Sequence, residues 1–498
     1  AGLNSGSLTG TSGNDVFNIT AAKAVTTNAI DFTSVVSVDA GAGDADEITS
    51  DITVAAKLTG TNALNGAEID FSNIEKAGLN SGVLSGSDNA DTFELSGASL
   101  LANNILFSAI NSLIDAKGGD DHVTGETGTD WSLTEDNKQL SSTNFRFQNI
   151  ETADLVNGSL VGSDTTSETF EISTTDNQVA VNGMNLTSVA AIDAGSSAGD
   201  AITTTELVDA DLTDENNALT ASGINFTNVN SADLSQGQLT GTNTESETFE
   251  ISTVTNAVAV NGMNLTSVGA VDAGSSAADA ITTTELVGAE LTGTNNELTA
   301  SGINFSAINN ADLSNGVLAG SDNADTFELS GTSLLANNIL FNAINSLIDA
   351  KSGNDQVTGE AGTDWSLTED NKQLSSTNFQ FQNIEKADLV GTTLVGTNSK
   401  DEIFEISSAD NKVAVNGMNL TSVGAVDAGS STGDSITTTE SVNANLTAAD
   451  NALTASGIDF TNMNSADLSQ GKLTGTDAES ETFEISSADN KVAVNGMN

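Results

Sequence analysis

The side chains able to do chemistry in this 498-residue chain are almost all carboxylates set in glycine-bearing turns. Asp15 closes the run Gly10-Thr11-Ser12-Gly13-Asn14-Asp15 ahead of Val16-Phe17, and Asp39, Asp44 and Asp46 punctuate a stretch of Ala and Gly. Asp115, Asp120 and Asp121 flank Gly118-Gly119, and Asp349 and Asp355 flank the related Ser352-Gly353-Asn354. Asp193 with Asp200, Asp272 with Asp279, and Asp427 with Asp434 repeat the theme. Oxygen-rich turns of this kind hold hard cations, and they equally serve as solvated corners of β-structure. The residues alone leave both readings open. The net charge of −56 gives a counter-ion a role, because like charges crowded on a compact chain repel.

Other reactive groups are few. There is no Cys, hence no thiol nucleophile, thiolate metal site or disulfide framework. His122 is the single histidine, and its counterpart in a sister repeat is Gln356, which argues against a catalytic imidazole. Carboxylate pairs occur throughout, so none marks one glycosidase-like centre, and the reading is non-enzymatic. Trp131 and Trp365 share the context Gly-Thr-Asp-Trp-Ser-Leu and suit a core, or a surface stacking on sugar. Asn185, Asn264 and Asn419 in Asn-Leu-Thr, and Asn225 in Asn-Phe-Thr, match the N-glycosylation acceptor but fall in strand-like runs. Thr203-Thr204-Thr205 is too sparse, at one run per unit, for an ice-binding array.

The elements that position these groups are repeats. Units begin at Ala1, Ala77, Ala153, Ala232, Ala311, Ala387 and Ala466, giving 1–76, 77–152, 153–231, 232–310, 311–386, 387–465 and a truncated 466–498 in one continuous array. Most open with Ala-[Asp/Gly]-Leu, then Gly-x-Leu-x-Gly-[Ser/Thr], then an acidic residue and Phe-x-[Ile/Leu]. Units two and five differ at about a dozen of 76 positions and lie 234 residues apart, so a three-unit block is itself duplicated. Each unit divides further at Gly, Asn, Asp and Ser clusters, for example at Gly97, Asp115 and Thr134, into segments of roughly 19–20 residues, about one rung of a solenoid.

Val258-Ala259-Val260 and Ile303-Asn304-Phe305 alternate as strands do. Absence of Pro leaves every backbone N–H free for a neighbouring rung. The fold class expected is all-β, a parallel β-solenoid with rungs of about 19–20 residues. Some 25 rungs spaced at about 4.8 Å would give a rod of roughly 120 Å. The 18 Phe should stack as ladders inside it, and Ser99–Asn104 admits one helical turn. The competing architecture is a string of tandem small β-sandwich domains, for which 76–79 residues is short.

Composition narrows the partners. Sixty-nine acidic residues against 13 Lys plus Arg repel phosphate backbones, so no nucleic acid is expected. No run approaches the roughly 18 apolar residues of a membrane span. The chain opens on a repeat boundary without Met or signal peptide and stops inside a repeat, as expected of a piece of a longer protein.

Gly10–Phe17 resembles the calcium-binding nonapeptide turn of the RTX proteins. In that family the motif recurs in tandem every nine residues; here its copies are isolated and altered. Over its whole length the chain is similar to the repeat regions of giant bacterial β-solenoid surface proteins, the filamentous-haemagglutinin-like and RTX-type adhesins and matrix fibres. The resemblance implies calcium at the fifteen aspartates named above. It also implies an extracellular or cell-surface place and a filament, adhesin stalk or biofilm-matrix role. The expected partners are the chain itself, in fibres or calcium-bridged lateral layers, and surface or matrix glycans.

Overall fold

The computed structural model describes residues 1–134, 136–477, 480–486 and 491–498. Among these the protein is all-β, with no helix, and forms a parallel β-solenoid of about 15 turns. No helix is therefore long and apolar enough to cross a membrane. The chain divides into two compact units, Ala1–Thr240 with Asn261–Val268, and Gly241–Val260 with Gly269–Asn498.

In the first unit strands stack in two ladders. One runs through Phe17, Ile48, Ala77 and Phe107, each the parallel partner of the next. There the chain steps back: Ile105–Asp115 pairs antiparallel with Ser99–Ala102, which pairs antiparallel with Thr92–Ser96. Thr92–Ser96 then starts a new parallel run through Phe93, Val123, Ala153 and Leu186. The other ladder does the same with Ala56, Leu84, Ile114 and Phe147, followed by an antiparallel step and the run Trp131, Leu160, Ile192 and Phe226. The second unit repeats the scheme, for instance Phe249, Ile281, Ala311, Phe341 and Trp365, Leu394, Val426, Phe460. Pairing of successive repeats excludes separate sandwiches.

Rung length is where expectation and structure part. Parallel partners lie 28 to 34 residues apart, not 19–20, which gives about 15 turns instead of 25. The reason is local. Gly97 at φ +60° reverses the chain between Ser96 and Ser99, and Asn103-Asn104 at φ 44° and 67° reverses it again between Ala102 and Ile105. Two successive positive-φ residues make a tight hairpin turn, not an open corner. Ser99–Ala102 is accordingly a strand, not a helical turn. Three-stranded meanders in the first unit begin at Val16, Ala56, Thr92, Asp130, Thr169 and Ala210, 36 to 41 residues apart. Each 76–79-residue unit thus carries one meander on each ladder.

Period-two patterning does what it predicts. Thr92–Ser96 alternates exposed and buried, with Phe93 and Leu95 inside, at 1% and 7% exposed. Burying each such Val, Leu, Ile or Phe stabilises by about 1.5–3 kcal/mol. Phe residues do not stack along a ladder; Ile, Val, Leu or Ala fills the rungs between them. Phe93 packs across the core on Phe147 at 5.9 Å between ring centroids. Trp131, from the ladder that holds Phe147, and Phe145, two residues before it, pack on the same ring at 6.4 and 6.3 Å. The sister cluster of Phe327, Trp365, Phe379 and Phe381 reproduces those distances. Both Trp side chains are core, at most 1% exposed, which removes the sugar-stacking alternative.

Candidate functional site

The recurring polar feature is a box built on Gly-[Ser/Thr] and an acid four or five residues further on. Thr11 donates to Asp15 from its backbone N–H (2.6 Å) and its hydroxyl (2.9 Å). Ser87 does the same to Asp91 (2.5 and 3.2 Å), and the Ser321 N–H to Asp325 (2.7 Å). Where the loop is one residue longer, the acid is Glu: Ser163 donates to Glu168 (3.2 Å), Thr242 to Glu247 (3.1 Å) and Thr397 to Glu402 (3.2 Å). A longer side chain spans the longer loop and reaches the same donor. The leading glycine is required by proximity, since a Cβ on Gly86 would lie 2.7 Å from Asp91 Oδ2 and 2.2 Å from the Ala116 carbonyl oxygen.

A column of buried acids rises from each box. The Asp15 N–H donates to Asp46 Oδ1 (2.6 Å), and the Asp46 N–H to Glu75 Oε2 (2.9 Å). The same bonds link Asp91 to Asp121 (2.8 Å) and Asp121 to Glu151 (2.9 Å), and Asp325 to Asp355 (2.8 Å) and Asp355 to Glu385 (3.0 Å). In the 79-residue units the lower acid is Glu: Glu168, Glu247 and Glu402 donate from N–H to Asp200, Asp279 and Asp434 at 2.8, 2.9 and 2.8 Å. Asn230 and Asn464 then take the third position.

Asp46, Asp121, Asp200, Asp279, Asp355 and Asp434 are 0% exposed, and the Oδ2 of each has no hydrogen-bond partner. Burial pushes Asp121 up to about 6, with the charges of Asp91, Glu151 and Asp120 adding to it and the Asp91 N–H opposing. Burial likewise pushes Asp355 up to about 6, with Asp325 and Glu385 adding. Asp200, Asp279, Glu168 and Glu402 are raised, burial again the first cause. For Glu385 burial is the largest influence and acts upward, yet the Lys372 ammonium and the Asp355 N–H outweigh it and hold the group below its usual value.

The other aspartates singled out from the sequence are placed differently. Asp39, Asp115, Asp193, Asp272, Asp349 and Asp427 each accept from the backbone N–H two residues on, an Asx turn. Five of them also accept an Asn amide from the next rung at 2.6 to 2.7 Å: Asn73, Asn149, Asn228, Asn383 and Asn462. Asp44 and Asp120 are exposed. Among the described residues no group of three or more His, Cys, Asp or Glu is arranged to hold a metal ion. His122 shares a 2.9 Å hydrogen bond with Thr152 on the outward side of a strand. Asn185, Asn225, Asn264 and Asn419 also sit at exposed strand positions.

The sequence reading had missed Asp91 and Asp325 and every Glu of the boxes and columns. Gly-[Ser/Thr] followed by Asp at one spacing or Glu at the next was the signal that could have found them. No family model, curated protein or solved structure matches the chain.

Proposed function

We propose that the chain is a non-enzymatic structural element of the bacterial cell exterior, a filament or adhesin stalk in surface attachment or biofilm matrix. The observation that carries this reading is recurrence. The box, the acid column and the Asx turn appear unit after unit with the same partners and nearly the same distances. A machine for one reaction concentrates unlike groups at one place, whereas a scaffold repeats what holds each layer to the next. The few residues that break the repetition, such as His122 against Gln356, lie on the outward side of a strand and are exchanged between sister units.

The absence of Cys and Pro and the strong negative charge support an exported array that stays soluble while presenting polar surface. The partners proposed are further copies of the chain, once cations screen their like charge, and hydroxyl-rich glycans.

The test is dimensional. Arrays of one, two and three copies of the 234-residue block are expected to lengthen in electron micrographs by a constant increment per block. Cells displaying longer arrays are expected to hold a terminal ligand further from the surface. Globular particles whose diameter grows slowly with block number would refute the reading.

A further inference from the structure

In the columns Asp91–Asp121–Glu151 and Asp325–Asp355–Glu385, three acids occupy successive rungs, and the donors around them are shared unequally. Asp91 accepts the Ser87 N–H and hydroxyl and the Asn103 amide (2.5 Å). Glu151 accepts the Asp121 N–H and is paired with Lys138 at 2.8 Å. Asp121, between them, accepts one backbone N–H on Oδ1 and nothing on Oδ2, and it is fully buried. The sister column is the same: Asp325 takes Ser321 and Asn337, Glu385 takes Lys372 at 2.6 Å, and Asp355 Oδ2 is bare.

A buried carboxylate oxygen without a donor, set between two other carboxylates, is costly as an anion and inexpensive as an acid. We propose that Asp121 and Asp355 are proton-binding sites, each a neutral carboxylic acid at the centre of its column under mildly acidic conditions, and that loading them tightens the rungs they join. One lysine per column answers one of three acids, and the proton answers the one that no donor reaches.

The charged and titratable groups facing Asp121 are Asp91 below, Glu151 above with Lys138 beyond it, and exposed Asp120 beside it; His122, next in the chain, bonds to Thr152. Those facing Asp355 are Asp325, Glu385 and Lys372. Burial and these neighbours place both groups at about 6, against an unfolded value of about 3.9. The folded state therefore binds the proton more tightly than the unfolded chain. The contribution is full below about pH 4 and is lost as pH rises through about 6.

Carbon-13 NMR of the aspartate side-chain carboxyls in the full chain tests this. The Asp121 and Asp355 carboxyls are expected to titrate at about 6, and Asp121→Asn and Asp355→Asn are each expected to remove one of those two midpoints. Asp120→Asn should leave both in place. Amide exchange in residues 118–124 and 352–358, corrected for its intrinsic pH dependence, should slow between pH 7.5 and 5 in the parent chain and be flat in the paired Asn variant. Titration of every aspartate in the ordinary range overturns the proposal. So does persistence of the high midpoints in the Asn variants. If millimolar calcium drops both midpoints into the ordinary range, a cation rather than a proton occupies the column, and the proposal also fails.

Discussion

The matching of acid length to loop length makes a demanding prediction at Asp91. Asp91 is 1% exposed and accepts Ser87 N–H at 2.5 Å, Ser87 Oγ at 3.2 Å and Asn103 Nδ2 at 2.5 Å across a loop closed by four residues. Asp91→Glu adds one methylene where the backbone approaches so closely that Gly86 has no room for a Cβ. Overpacking of that kind costs about 1–3 kcal/mol, and displacing one charge-assisted hydrogen bond costs about 1.5–3 kcal/mol more. Together these come to about 2.5–6 kcal/mol, and a central figure of about 4 kcal/mol corresponds to somewhat under a thousandfold, since about 1.4 kcal/mol is tenfold.

Long arrays do not unfold as one unit, so the assay is native-state hydrogen exchange read on residues 86–96, where a local opening reports its own free energy. Inserting one residue between Ala90 and position 91 recreates the five-residue spacing of Ser163 to Glu168. The insertion is expected to hurt when the acid is Asp and to restore protection when it is Glu. The sign of that coupling is the critical result. If Asp91→Glu exchanges like the parent, or the insertion worsens both backgrounds alike, spacing and side-chain length are unrelated and the account of the box is wrong.

Other consequences follow from the same geometry. Trp131→Ala, which empties the largest buried side chain of its cluster, should cost about 3–5 kcal/mol, read as faster exchange in the Thr152–Val161 and Arg146–Gln148 strands. Replacing Asn103-Asn104 by Ala-Ala asks two alanines to hold φ 44° and 67°, at about 1–2 kcal/mol per residue, and should unprotect Ser99–Ala102 first. Lys372→Met removes the ammonium that holds Glu385 low. Because that carboxyl's folded value lies below its unfolded one, its contribution is present above about pH 4.3 and fades as pH falls through the lowered value. The variant should raise the Glu385 NMR midpoint and shrink that acid-side loss.

What could be read from residues alone was the layer logic. Strand-length apolar alternation, missing Pro and the Ala-[Asp/Gly]-Leu repeat led to a parallel β-solenoid, and the paired ladders are that fold. The rung was misjudged because a 19–20-residue spacing has two causes. Turn residues close a hairpin as readily as they round a corner, and only backbone sign tells them apart. Asn182-Gly183 and Ser222-Gly223, with positive φ at both residues, were legible as two-residue hairpins.

The acid candidates divided for a related reason. Asp in Asp-Ala-Gly is committed to the N–H two residues on, and that is local enough to read from sequence. The column needs partners 29 to 32 residues away, and only register reveals them. Phe offered a similar trap. Its spacing suited a ladder, whereas smaller apolar rungs such as Ile48 and Ala77 separate Phe17 from Phe107, and Phe93 meets Phe147 across the core.

The alternation of meanders between ladders explains why the repeat unit is 76–79 residues when the structural step is about half that. An antiparallel step interrupts the parallel run of one ladder, and at that place the run of that ladder is held laterally only by the hairpin strand, as Ser99–Ala102 holds Thr92–Ser96 to Ile105–Asp115. Over the same stretch of chain the other ladder is continuous, through Leu84, Ile114 and Phe147. The next meander, from Asp130, falls on that second ladder while the first continues through Val123 and Ala153. Two half-repeats are therefore equivalent in shape but opposite in which ladder they interrupt, and only the pair restores the starting condition. Duplication that copies whole pairs preserves the alternation, while copying a single half would stack two interruptions on one ladder. That constraint accounts for the 234-residue duplication spanning three full units and for the acid boxes, one per unit, always lying in the half that opens with Ala-[Asp/Gly]-Leu.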